Sequence, residues 1–227
     1  LVGGFESIKQ EVMKQIIFLG IVLLMFVGCT KYNQIDTGIC KAEFPGNMYE
    51  YFQSDSYNWD SLLVMIEYTG LEKYFTGEEP GYEEITFFGP TNHSIRRWLY
   101  SLSLNNMGLP DEEKAKIKLQ NKETCRNLIL SHIIKGKRLV ADFKEGTADD
   151  EASGEMVTAA NGNQFRVFAF RETFQSVPGA GALVLYAIGH NKWGSVKYLL
   201  PIASTDIQPT NGVVHSMAYS FTLGELK

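Results

Sequence analysis

Midway along this chain the hydrophobic period changes from that of a helix to that of a strand, and this constrains the fold more than any other feature. Within residues 58–71, Leu62, Met65, Ile66 and Thr69 share one helical face, and Gly70 supplies a stop. Pro110-Asp111 opens the segment DEEKAKIKL, whose acidic start and basic finish suit a helix dipole. A further helix is expected over residues 122–134, with Leu128, Ile129, His132 and Ile133 on one side and Gly136 ending it. One strand interrupts this half. Residues 84–88 (EITFF) are β-rich, and Gly89-Pro90-Thr91-Asn92 then turns into a helix reaching Leu102, with Thr91 or Asn92 available as its cap.

Residues 141–154 are acidic, contain glycine and read as a loop; beyond them the period is two. Asn161-Gly162 signals a hairpin between residues 155–160 and 164–170. Residues 182–188 read as a strand, 189–192 (GHNK) as its turn and 195–200 as the return. Asn211-Gly212 precedes a last strand, 213–221. Helices first, strands second and no internal repeat predict one α+β domain rather than alternating βαβ units.

The N-terminal region reads differently. Residues 16–27 (IIFLGIVLLMFV) carry no charge, with Lys14 before them and Gly28-Cys29 after. A positive start, a short apolar run and a small residue before the cut describe a secretory signal. A retained transmembrane helix is the competing reading, but twelve residues span roughly 18 Å against roughly 30 Å of bilayer hydrocarbon. Phe26-Val27-Gly28-Cys29 resembles the lipobox of bacterial lipoproteins, which implies lipid on Cys29; an ordinary cleaved signal stays as the alternative. Residues 1–12, with Glu6 and Glu11, fit poorly in a basic signal start, so Met13-Lys14 is the expected beginning. The organisation expected is a signal over 1–28, a polar tether over 29–45 and a domain over 46–227.

Removing residues 1–28 takes away Lys9, Lys14, Glu6 and Glu11, so the net charge of −5 is unchanged. A mildly acidic, mixed-sign chain lacks the basic stripe that nucleic-acid binding needs. With Cys29 lipidated, Cys40 and Cys125 remain; two partly buried free thiols are expected, with a disulfide as the alternative.

Three segments resemble the fasciclin-type adhesion domain of lipoproteins of Gram-negative bacteria and other members. They are residues 85–92 (ITFFGPTN), 128–134 (LILSHII) and 204–215 (STDIQPTNGVVH). The resemblance runs from about Asn47 to the C-terminus. It implies a short-stranded β-sandwich or wedge with helices packed along one side, and adhesion through proteins or glycans without catalysis or a cofactor. Ser131 stands where the family often has Tyr. Asp206-Ile207 matches a pair implicated in receptor binding by some animal members, although an Asp there can equally fix the loop before the strand. Residues 174–199, centred on Trp193, look longer than the family's usual connection and could set partner choice.

Elementary chemistry accounts for the motif residues without a ligand. Pro90 presets its φ, Thr91 and Asn92 can satisfy free helix N–H groups, Asn211-Gly212 suits a tight turn, and His132 and His215 could each hold a buried backbone group. His93, His132, His190 and His215 follow no metal spacing, and no phosphate loop or GxSxG elbow occurs. Cys125 and His132 lie about 10.5 Å apart along a helix, beyond the roughly 3 Å a nucleophile–base pair needs. Carboxylates at 78–79 and 149–151 read as solvated loops. Tyr49, Tyr51, Phe52, Tyr57 and Trp59 crowd the domain's start; a planar patch containing Trp59 or Trp193 would favour glycans. The first functional expectation is a non-enzymatic adhesion module, held to the outer membrane by lipid on Cys29 and facing the cell surface or periplasm. It would meet a surface or matrix protein through Asp206, Ile207 or Trp193. A glycan-binding accessory of a nutrient-uptake system and a structural subunit without a ligand are the alternatives.

Overall fold

The structure is a computed structural model, and it describes residues 42–102, 110–174, 177–191 and 194–226, with Met13 and Lys14. The expected signal apart from those two residues, Cys29, Cys40, Trp193 and the tether up to residue 41 lie outside the described residues. Contacts divide the chain into Leu1–Cys40 and Lys41–Lys227, and the fold is that of the second unit. Among the described residues no helix is long and apolar enough to cross a membrane.

Three helices open the domain. In α1 (Met48–Ser54) a capping box forms: Asn47 Oδ1 accepts from the Glu50 N–H, and Glu50 Oε2 accepts from the Asn47 N–H, both at 2.9 Å. Helix α2 (Ser56–Thr69) is capped by Asp55 and ends at Gly70, whose φ of 69° is one that glycine adopts without strain. A short α3 (Glu72–Thr76) leads to β1 (Ile85–Gly89). Then come α4 (Asn92–Leu102), α5 (Pro110–Leu119) and α6 (Lys122–Leu130), the last capped by Asn121.

The described strands form one sheet in the order β2-β1-β7-β6-β5-β4-β3. The remaining strands are β2 (Ile133–Lys135), β3 (Glu155–Thr158), β4 (Gln164–Phe174), β5 (Val177–Asn191), β6 (Gly194–Ile207) and β7 (Gly212–Met217). Neighbours are antiparallel except β1 and β7, which run parallel with Ile85 opposite Gly212. The two edges meet where Ile134 bridges Ala159, so the sheet nearly closes. Inside it lies a core of Phe88, Phe143, Phe165, Val167, Leu183, Leu185 and Leu200 among others. On the other side of β1 and β7, Phe87 and Val214 join the helical core around Phe52, Trp59, Leu62, Met65 and Phe75.

The α+β expectation holds, with several local differences, among them the last strand, which was expected over residues 213–221 and ends at Met217. The helix expected to Ile134 stops at Leu130, and Ile133-Ile134-Lys135 pairs with Phe87-Thr86-Ile85. The β-branched residues cover the open edge of β1, and the Phe88 N–H donates to His132 O at 2.9 Å. The expected 189–192 turn is displaced, since Gly189, His190 and Asn191 pair with Val196, Ser195 and Gly194. Ladder bonds there override the turn preference of Gly and Asn. Neither Thr91 nor Asn92 caps α4 as expected. Asn92 Oδ1 accepts from the Ser61 N–H at 2.8 Å and its Nδ2 donates to the carbonyls of Ser56 and Tyr57, clamping α2 instead. Thr91 Oγ1 is buried without a partner among the described residues.

Candidate interaction surface

The remaining motif residues form joints at the seam between the two cores. Asn211 Oδ1 accepts from the Met48 N–H at 2.7 Å while its Nδ2 donates to Phe75 O at 2.9 Å, tying α1 and α3 to the start of β7. The fully buried His132 places Nδ1 2.8 Å from Phe88 O. Burial pushes its imidazole down to about 4. Asp206 takes φ 60°, which Asp tolerates, and its Oδ1 accepts from the Val140 N–H at 2.8 Å. The Asp206 N–H donates to His215 Nδ1 at 3.3 Å, and His215 Nε2 donates to Arg138 O at 3.0 Å. That pattern fixes a neutral imidazole, and burial lowers its pKa despite the nearby Asp206 charge. Ile207 is half-buried, faces Val214 and packs on the helical core. Asp206 and Ile207 are thus brought together with His215 in a structural joint, with the Asp206 side chain 35% exposed.

A second region, not anticipated from sequence, is the outer face of β3–β6. On β4, Phe165, Val167 and Ala169 point into the sheet core, which leaves Arg166, Phe168 and Phe170 on the opposite face. Cross-strand register then builds two rows: Met156–Arg166–Tyr186–Leu199, and Phe168–Val184–Pro201. An antiparallel sheet with one solvated face alternates apolar with polar residues, and these strands do not. Leu199 is 50% and Met156 61% exposed. Phe168, Phe170, Val184, Leu199, Pro201 and the 146–148 loop line an open groove of about 430 Å³. Beside it, Glu151, Met156, Gln164, Arg166 and Tyr186 line a recess of about 200 Å³.

Arg166 organises this face. Its guanidinium lies 4.6 Å from the Tyr186 ring centre and 5.0 Å from that of Phe168. Nη1 donates to the carbonyls of Thr147, Asp150 and Ser153 at 3.1, 2.8 and 3.0 Å, which holds the acidic loop against the sheet. Gly154 (φ 74°) allows that approach, since a Cβ there would stand 2.6 Å from Val167 O. The signal in the sequence was the run Val167-Phe168-Ala169-Phe170, apolar at both parities, which marks a strand covered on both faces.

Comparison with known proteins decides the family: residues 58–220, well over half of the chain, match the Fasciclin domain. The chain belongs to the fasciclin domain family. No curated protein matches it. Among solved structures it is similar to a FAS1 domain pair from the insect cell adhesion molecule Fasciclin I. That match has 15% identity and a TM-score of 0.43, over 72% of this chain and 44% of that one, so the chain spans less than half the length of that structure.

Fasciclin domains are in general non-enzymatic adhesion and interaction modules. In this fasciclin domain Cys125 is a free, fully buried thiol rather than a partly buried one, and burial pushes it up to about 11. Trp59, one of the two tryptophans expected in a sugar-stacking patch, is 2% exposed; it packs on Phe52 and Tyr51 and is unavailable to a ligand. Among the exposed tyrosines, Tyr57 (72%) and Tyr219 (51%) are hydrogen-bonded to each other, with Tyr219 also bonded to His93. Among the described residues no cluster of His, Cys, Asp and Glu could hold a metal ion.

Proposed function

We propose that this fasciclin domain is an adhesion module, tethered to the outer membrane by lipid on Cys29, that docks a surface or matrix protein on the outer face of β3–β6. The observation carrying the docking surface is the doubly apolar β4–β6 segment, where half-exposed Leu199 borders the 430 Å³ groove and exposed Met156 the recess beside it. The anchor rests on the charge-free run before Gly28-Cys29. Two measurements test the proposal. Cys29→Ser should move the protein from the membrane to the soluble fraction; retention in the membrane sinks the anchor. Cells displaying the protein should adhere to a matrix-protein panel, and Leu199→Asp should abolish that adhesion; undiminished adhesion by the variant removes this face from the proposal.

A second reading, glycan binding, is favoured by the Tyr57–Tyr219–His93 cluster, because exposed aromatic faces beside polar groups suit sugar stacking. A glycan array on which wild type and Tyr57→Ala give the same signal excludes it.

A further inference from the structure

Arg166 presents an unresolved charge. It is 5% exposed, and among the described residues no carboxylate comes within ion-pair distance of it. A buried guanidinium without a counter-ion is costly, and so is each buried N–H left without an acceptor. Nη1 has its carbonyls, but Nε and Nη2 have no partner among the described residues. These two atoms share one edge of the guanidinium and present parallel N–H bonds, the arrangement that takes both oxygens of a carboxylate side-on. The Tyr186 and Phe168 rings hold the guanidinium plane, so the unpartnered edge is preset in direction. Arg166 also lines the 200 Å³ recess, whose wall includes the 61% exposed Met156. A flexible thioether there can yield to an incoming group without disturbing the core. The apolar groove begins on the neighbouring row, at Phe168 and Val184.

We infer that the Arg166 recess is a carboxylate subsite of the docking surface, taking an acidic side chain of the protein partner while flanking apolar side chains lie along Phe168, Val184 and Leu199. This rests on the docking face proposed above and names its chemistry. Glu151 lines the same recess and repels a phosphate dianion more strongly than a singly charged carboxylate, which favours the carboxylate.

The test is an amide NMR titration of the whole domain with the peptide acetyl-Leu-Glu-Leu-amide and with its Gln counterpart. The Glu peptide should shift amides of residues 146–153, 166–170 and 184–186 saturably and bind about tenfold or more tighter than the Gln peptide. Arg166→Lys keeps the charge and loses the side-on pair, so it should erase the Glu-over-Gln preference. Because that variant disturbs a buried residue, Glu151→Gln serves as a second test at an exposed one. It should strengthen the Glu peptide about twofold while leaving the Gln peptide unchanged, and the absence of a selective gain counts against the inference. Equal binding of the two peptides, or shifts elsewhere on the domain, overturns it. So does octanoate binding at this recess with no peptide bound, which would assign it to a small carboxylate instead. If the preference fails while Leu199→Asp still abolishes adhesion, only the carboxylate subsite falls. If the preference holds while Leu199→Asp adheres normally, the adhesion face falls and the subsite stands.

Discussion

Acid should destabilise this domain through His132, by an amount that follows from its surroundings. The ring lies between β1 and the C-terminal segment, with Nδ1 on Phe88 O and the rings of Phe87 and Phe221 around it. Its Nε2 is buried without a partner among the described residues, so a proton arriving there would place a cation against aromatic carbon. Folded, the imidazole titrates at about 4, against 6.5 for the free side chain. Above the unfolded value both states are neutral and the group contributes no pH dependence. Between the two values only the unfolded chain binds the proton, so stability falls as pH falls; below about 4 both states bind it and the loss levels off. A gap of about 2.5 pH units at 1.36 kcal/mol each gives a loss of about 3 kcal/mol. His215 acts in the same direction. Urea unfolding from pH 7.5 to 4 measures this loss, with His132→Asn as the control because its side-chain amide can replace the Nδ1 donor. The variant should be about 2 kcal/mol less stable at pH 7.5 through lost packing, and its stability should fall by about 3 kcal/mol less than that of wild type on acidification. An equal fall in both proteins would refute the assignment to His132.

Three further outcomes follow from single contacts. In Gly212→Ala the new Cβ would stand 1.9 Å from Ile85 O across the parallel β1–β7 pair. A loss of about 3 kcal/mol or more is expected in thermal or urea unfolding. Asp206→Ala strands the Val140 N–H and puts a Cβ-bearing residue without a polar side chain at φ 60°, costing about 2–3 kcal/mol; Asp206→Asn, which keeps an acceptor, should cost under about 1. Leu199→Asp, at a half-exposed position, should shift stability by no more than about 0.5 kcal/mol, so any loss of adhesion it causes is read at the surface.

Features set by local chemistry were the legible ones. Gly70 ends α2 because its φ demands glycine, and Asn161-Gly162 turns the β3–β4 hairpin because Gly162 takes φ 87° and Asn161 Oδ1 accepts from the Asn163 N–H at 3.1 Å. What escaped depends on partners distant in sequence. Ile133-Ile134 continues a helical pattern until the bare edge of β1 claims it as a strand. Asn92 looks like a cap for its own helix, yet its amide reaches Ser61, thirty-one residues earlier. Asp206 was singled out for a possible partner, and only the folded chain shows Val140 and His215 occupying it. The outer face was hidden for a different reason: alternation identifies a strand, but whether both parities are apolar has meaning only once one face is known to be covered.

The positions of the two regions in the sheet separate the family motif from the proposed docking face. Strands β1 and β7 sit between both cores, sending Phe87 and Val214 to the helices and Phe88 and Met217 to the sheet interior. His132, Asp206, Asn211 and His215 all bond across this seam, so changing any of them loosens the joint between the cores. Met156, Arg166, Tyr186 and Leu199 lie on β3–β6, toward the other end of the strand order, and two of them are at least half exposed. Substitution at Leu199 or Met156 therefore leaves the seam bonds in place, and the motif can persist while the face changes. The residues that identify a fasciclin domain therefore say little about the proposed docking face, where Arg166 keeps two nitrogens without a partner among the described residues.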